Sequence, residues 1–197
     1  MIICQIAGFL GAGKTTLMIR LGKGLGEAGR KVAIIVNEVG EVGVDGEVIN
    51  AYGLRAVEIT EGCICCSLSG SLQNTLRLIA KEYQPDFVLI EPTGLALPNK
   101  VNSIIRTSMV ELERNVSVAL VDAYRAGNLF RETKAFFGRQ IAGVNAVAIN
   151  KIDLVDEARL IEVDGLIREL EPGVRIVHIS AKNGDGVKDL MSILEVE

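Results

Sequence analysis

Gly8-Phe9-Leu10-Gly11-Ala12-Gly13-Lys14-Thr15 is the stretch on which the reading of this chain turns. It has the form G-x-x-x-x-G-K-[ST], follows the apolar run IICQIA at residues 2–7 and opens a run of helical period at 14–28. In the context strand, glycine-rich turn, helix, backbone N–H groups of the turn and of the helix N-terminus converge on one anionic group. Lys14 is expected to reach β- and γ-phosphates, and Thr15 to place its hydroxyl on Mg²⁺. A phosphate loop alone names neither the nucleotide nor the product.

Outward from this motif, short β-branched runs alternate with longer stretches of helical period. Strands are expected at 2–7, 32–37, 86–91, 116–121, 144–149 and 174–179, with a weaker one at 56–60. Helices are expected at 14–28, 68–83, 99–112, 125–138, 156–170 and 186–195, the last capped by Asp185. The strands are almost continuously apolar, the pattern of a parallel sheet covered on both faces. The expected fold is therefore α/β, a P-loop NTPase with three α/β/α layers around a mostly parallel sheet. Residues 38–55, rich in Gly and acid, and 92–101, with two Pro, are long for plain connections and read as functional segments. No repeat or linker divides the chain, so residues 1–197 are read as one domain.

Composition removes other classes. With 49% apolar and 23% charged residues the chain can bury a core and is not a disordered tail. The 21 Lys+Arg against 25 Asp+Glu form no basic run, and aromatics are only 4%, so no nucleic-acid partner is expected. No apolar stretch reaches the roughly 18 residues that span a bilayer, and the N-terminus lacks a signal-peptide pattern. No membrane partner and a cytoplasmic location are expected.

The base is read further along. Asn150-Lys151-Ile152-Asp153 follows a strand, and a carboxylate there accepts both N–H groups on the Watson–Crick edge of guanine, whereas adenine presents an acceptor and repels it. Asn150 can bridge loops, and the Lys151 stem can lie over the ring. Ser180-Ala181-Lys182 follows the next strand, where such a turn offers a backbone N–H to the base oxygen. Glu91 ends the strand DFVLI and can hold Mg²⁺ directly or through water, while Gly94 lets its N–H approach the γ-phosphate. Asp45, with Glu38 and Glu41 as rivals, is the acid expected to assist Mg²⁺ or orient water.

Three of the four cysteines, Cys63, Cys65 and Cys66, lie within four residues, a spacing unlike a disulfide framework. Compact thiolates suit Zn²⁺ or Cu(I) better than Mg²⁺. A fourth ligand is not evident; a second subunit, water or Glu38 are the candidates, and buried thiols or a redox pair are the competing roles. Cys4 reads as a buried strand residue, and His178 as a satisfied histidine in a core strand.

The segments GFLGAGKTT at 8–16, NEVGEVGVDG at 37–46, EGCICC at 61–66 and IEPTGLALP at 90–98 together resemble the CobW/HypB/UreG group of GTPases, CobW-type branch. The resemblance implies GTP or GDP held by Gly8, Gly11, Ala12, Gly13, Lys14, Thr15, Thr16, Gly94, Asn150, Lys151, Asp153, Ser180, Ala181 and Lys182. It implies Lys14, Asp45 and Glu91 in Mg²⁺-dependent hydrolysis, with Thr15, Asp45 and Glu91 on the Mg²⁺. Transition metal, Zn²⁺ or else Co²⁺ or Ni²⁺, is implied at Cys63, Cys65 and Cys66. Members deliver metal or support maturation of metalloenzymes or corrinoid-dependent proteins, so the implied partner is an apo-metalloenzyme or corrinoid-protein client, and the implied assembly a nucleotide-dependent homodimer. The family's usual C-terminal domain and His-rich stretch are not in this sequence, which leaves cargo and client open. A switch that docks to its client without carrying metal is the alternative, and a small-molecule kinase is disfavoured by Asn150 and Asp153.

Overall fold

The computed structural model describes residues 1–36, 55–58 and 67–195. Its elements are β1 (Ile2–Gly8), α1 (Lys14–Glu27), β2 (Val32–Val36), β3 (Arg55–Glu58), α2 (Ser67–Glu82), β4 (Phe87–Glu91), α3 (Pro98–Thr107), β5 (Arg114–Asp122), α4 (Ala126–Ile141), β6 (Ala146–Asn150), α5 (Glu157–Leu170), β7 (Arg175–His178) and α6 (Val187–Glu195). A 3-10 turn, Ile152–Leu154, follows β6.

The strands form one sheet in the order β3-β2-β4-β1-β5-β6-β7, with every neighbouring pair parallel. β1 is central. Ile2 to Gln5 pair with Phe87 to Ile90 on one side, and Ile2 to Gly8 pair with Arg114 to Leu120 on the other. All seven β1 residues are buried, as a strand covered on both faces requires. Alternation splits the core into layers. Cys4 and Ile6 pack with Leu17, Leu21, Leu190 and Leu194 of α1 and α6, while Ile3 packs with Leu76, Val101 and Ile105 of α2 and α3. Under α4 and α5, Phe137, Ile141, Val163 and Ile167 cover Ala119, Val121, Val147 and Ile149. The α/β/α expectation is met.

The strand order changes direction at β1, whose carboxyl end lies between those of β4 and β5. In open parallel sheets that crevice is where ligands bind. The carboxyl ends of β1, β4, β5 and β6 are Gly8, Glu91, Asp122 and Asn150.

Several boundaries differ from expectation. The helix expected over 99–112 begins at Pro98 and ends at Thr107. Ser108 Oγ donates back to the Ile105 carbonyl at 2.6 Å, and Met109 takes a left-handed φ of 58°, turning the chain toward β5. The helix expected over 125–138 runs to Ile141 with a break at Thr133 (φ −137°, ψ 36°), where Thr133 Oγ1 donates to the Leu129 carbonyl. His178 is not a core residue: β7 is the outermost strand, and the imidazole is 40% exposed and 2.7 Å from the Asp164 carboxylate. Among the described residues no helix is long and apolar enough to cross a membrane.

Cys4 is fully buried, and desolvation pushes its thiol up to about 12 from an ordinary 9.0. The fold thus favours the neutral thiol. Its contribution to stability is complete below pH 9.0 and decays as the pH rises from there through about 12. Urea unfolding is expected to lose more stability on alkalinisation in the parent than in Cys4→Ala. Equal losses would remove this role for the thiol.

Candidate functional site

The phosphate loop starts where β1 ends. Gly8 has φ 146°, and a Cβ there would overlap the Leu120 carbonyl oxygen of β5. Gly13, the N-cap of α1, has φ 98°, and a Cβ would come 2.5 Å from Asn150 Nδ2. Both positions therefore demand glycine, by conformation and by space. The second loop residue is anchored: the Phe9 ring meets Phe136 edge-on at 5.5 Å and Phe137 at 5.9 Å, both on α4.

Lys14 opens α1 and is buried. Its ammonium donates to the Phe9 carbonyl at 3.4 Å and lies 3.8 Å from Glu91 Oε1. Thr15 Oγ1 donates to Glu91 Oε2 at 2.8 Å. One buried carboxylate at the end of β4 is thus shared by the lysine and the hydroxyl. The hydroxyl and carboxylate oxygens form a hard donor set that suits Mg²⁺, an ion that takes few protein oxygens and keeps its waters. Thr16 is exposed in the first turn of α1.

Gly94 lies against the phosphate loop, since a Cβ on it would come 3.1 Å from Leu10 N. The carbonyls of Gly94 and Ala96 are held at 3.3 and 3.2 Å by Gln140 Nε2, a buried side chain of α4. Arg125, at the start of α4, donates to the Leu10 carbonyl at 3.0 Å.

At the other end of the crevice Asn150 bridges two loops. Its Nδ2 donates to the Ala12 carbonyl at 2.8 Å, and its Oδ1 accepts the Ala181 N–H at 2.8 Å. Lys151 has φ 67°; its ammonium donates to the Gly11 carbonyl and pairs with buried Asp122 Oδ2, each at 2.7 Å. Asp122 Oδ1 accepts the N–H groups of Tyr124 and Arg125, so the acid also fixes the turn into α4. The Asp153 carboxylate is exposed and accepts the Ser180 hydroxyl at 2.6 Å, which sets it beside the Ser180-Ala181-Lys182 turn.

The structure therefore brings together Gly8 to Thr15, Glu91 and Gly94 at one end, and Asn150, Lys151, Asp153 and Ser180 to Lys182 at the other. Asp45, its rivals Glu38 and Glu41, and Cys63, Cys65 and Cys66 lie outside the described residues. Among the described residues no cluster of three or more His, Cys, Asp or Glu could hold a metal ion. Asp122, Arg125, Gln140 and Arg20 lie outside the sequence motifs yet support the site, the Arg20 guanidinium holding the Ala181 and Lys182 carbonyls. Asp122 ends an apolar strand as Glu91 does, and the same rule finds it. Gln140 is a polar residue beside Ile141 on a buried helical face, a pattern the sequence also carries.

A family model described as CobW/HypB/UreG, nucleotide-binding domain, matches residues 2–178. Over 210 residues the chain is 31% identical to the zinc chaperone CobW of Sinorhizobium sp, an alignment covering 91% of this chain and 58% of that protein. Over 165 residues it is 35% identical to the zinc chaperone YjiA of Escherichia coli (strain K12), covering 79% and 51%. The solved structure of the hydrogenase maturation factor HypB from Archaeoglobus fulgidus shares the fold, with a TM-score of 0.74 at 22% identity, covering 99% of this chain and 89% of that one. The chain spans about half the length of the curated relatives it matches. A glycine-rich turn closed by Lys14, a carboxylate shared with Thr15, and a family match over most of the sequence lead to one assignment: this chain belongs to the CobW/HypB/UreG family, through its nucleotide-binding domain.

Proposed function

We propose that this chain binds and hydrolyses GTP as the nucleotide-binding domain of a metallochaperone or metalloenzyme-maturation factor. One observation carries the reading. A phosphate loop whose Lys14 and Thr15 meet Glu91 is tied by Asn150 to a turn beside which stands the exposed carboxylate of Asp153. The first half suits a triphosphate, and the second half suits the donor edge of guanine.

In this reading the loop N–H groups and Lys14 take the β- and γ-phosphates, and the Gly94 N–H approaches the γ-phosphate. Thr15 Oγ1 and the Glu91 carboxylate are the groups that would hold Mg²⁺, which when bound would supply positive charge to offset the negative charge that develops on the phosphate oxygens. Water attacks the γ-phosphorus, the bond to the β,γ-bridging oxygen breaks, and GDP and phosphate leave. Catalysis is then positioning and electrostatics, with Asp45 assigned to orient the water or assist the ion.

The carried metal is assigned to Cys63, Cys65 and Cys66 as Zn²⁺, with Co²⁺ or Ni²⁺ as the other candidates. The zinc chaperones among the relatives support this choice. Loss of the γ-phosphate changes what the segments at 38–55 and 92–101 contact, and the thiolates follow the first of these in sequence, so nucleotide state and metal affinity are coupled in both directions. The client is an apo-metalloenzyme or corrinoid protein. A nucleotide-dependent homodimer would cover Leu10 and Leu95, 69% and 75% exposed on adjoining loops at the phosphate end.

Three outcomes are expected. Calorimetry should find that Asp153→Ala narrows the preference for GDP over ADP by about 10- to 100-fold, because the donor edge of guanine loses its acceptor. A variant that discriminates as the parent does would overturn the base assignment. Lys14→Gln should lower GTP turnover by about 100-fold or more, measured as phosphate release at saturating GTP. Zn²⁺ affinity should differ between the GDP-bound chain and the chain bound to a non-hydrolysable GTP analogue, and should vanish when Cys63, Cys65 and Cys66 are serine. Equal affinities in the two nucleotide states would leave a docking switch without metal coupling as the better account.

A further inference from the structure

The turn after β7 accounts for its backbone polar groups almost completely. Within the peptide unit joining Ser180 to Ala181, the carbonyl accepts the Gly184 N–H at 2.7 Å and the N–H donates to Asn150 Oδ1 at 2.8 Å. Within the unit joining Lys182 to Asn183, the carbonyl accepts Arg20 Nη2 at 2.5 Å and the N–H donates to Ser180 Oγ at 3.1 Å. The unit between them has its Ala181 carbonyl on Arg20 Nε at 2.7 Å. Its N–H, that of Lys182, has no partner among the described residues and belongs to an exposed residue. Of six consecutive polar groups, five are held and one donor is left open.

A trans peptide is planar, with its C=O and N–H pointing in opposite directions, and no peptide among the described residues is cis. Whatever holds the Ala181 oxygen therefore aims the Lys182 N–H to the opposite side. That holder is Arg20, on the helix whose first turn carries Lys14 and Thr15. Its planar fork takes two successive carbonyls, which a lysine ammonium cannot do with the same geometry. Gly184 makes room for it: a Cβ at that position would come 2.7 Å from Arg20 Nη1.

We infer that Arg20 is a positioning residue for base recognition: by holding the Ala181 and Lys182 carbonyls on α1 it directs the Lys182 N–H to the 6-oxo group of guanine. The inference rests on the guanine reading proposed above and adds a division of labour to it. Asp153 reads the N1 and N2 donors of the base, and the Lys182 N–H, aimed by Arg20, reads the O6 acceptor. Arg20 itself touches no part of the nucleotide in this scheme. It links the helix that starts at the phosphates to the turn that tests the base.

Two analogues separate the halves. In 6-thio-GDP the O6 acceptor becomes a poorer sulfur acceptor while the N1 and N2 donors stay, and in IDP only the N2 amine is lost. Dissociation constants for GDP, 6-thio-GDP, IDP and ADP would be measured on the full chain, for the parent and for Arg20→Gln, with thermal unfolding followed in parallel. The parent is expected to prefer GDP over 6-thio-GDP by about 3- to 10-fold, the worth of one neutral hydrogen bond. In Arg20→Gln that gap closes to within about twofold because GDP itself weakens by about the same 3- to 10-fold, while the ratio of IDP to GDP stays at the parent value. Arg20→Lys keeps the charge and stem but not the fork, and closes the gap as well; a role as a mere positive charge predicts that it stays open. If Arg20→Gln does not fold, Arg20→Lys carries the same comparison.

Weaker GDP binding with the full 6-thio gap retained, or a parent with no such gap, would overturn the role of Arg20. A parent that binds ADP as well as GDP would instead overturn the guanine reading, an outcome visible before any variant is made.

Discussion

Asn150 uses both ends of one amide on backbone: the amine holds the Ala12 carbonyl of the phosphate loop, and the oxygen holds the Ala181 N–H of the turn after β7. The two loops belong to opposite ends of the sequence, and no strand pairing joins them directly. A buried amide satisfied on both sides fixes their separation within hydrogen-bond tolerance, because leaving either end unpaired costs a buried polar group its solvation. Lys151, next along, repeats the device from the surface side, joining the Gly11 carbonyl to Asp122. The distance between the phosphate loop and the turn after β7 is thus set by side chains at the end of a single strand.

The phosphate end depends on a different balance. Burying Lys14 and Glu91 in the absence of a compensating partner would be unfavourable for either, and each serves as that partner for the other across 3.8 Å, with the Thr15 hydroxyl on the second carboxylate oxygen. The separation is long for a direct ion pair, so the ammonium is also steadied by the Phe9 carbonyl. Helix α4 braces this end from behind. It packs Phe136 and Phe137 on Phe9, holds Leu10 through Arg125, and holds Gly94 and Ala96 through Gln140. The Gln140 side-chain oxygen is buried and has no hydrogen-bond partner among the described residues, so only the amine end of that amide is satisfied by them.

What could be read from the sequence was local or tied to strand ends. The phosphate loop is a contiguous string whose glycines answer a steric demand, and Glu91, Asn150, Asp153 and Ser180 announce themselves by following apolar runs. Arg20, Arg125 and Gln140 act on residues 161, 115 and 46 positions away, and no spacing along the chain encodes such pairs. The overlong third helix has a similar cause: Ser108 to Leu112 carry no strong helix breaker, yet the chain must turn at Met109 to enter a strand paired with β1. His178 misled because Val-Arg-Ile-Val-His-Ile looks like a core strand, and only the strand order reveals that it is an edge.

The central position of β1 has a bearing on how the molecule comes into being. The phosphate loop and its strand leave the ribosome before the strands that flank β1, which are made only when Phe87–Glu91 and Arg114–Asp122 have followed. Until then a run of seven apolar-rich residues has neither neighbour, and the glycine-rich turn has no wall against which to hold its shape. Such distant pairings slow folding and expose sticky surface in nascent chains. The glycine-rich turn is therefore synthesised well before the walls that let it become competent.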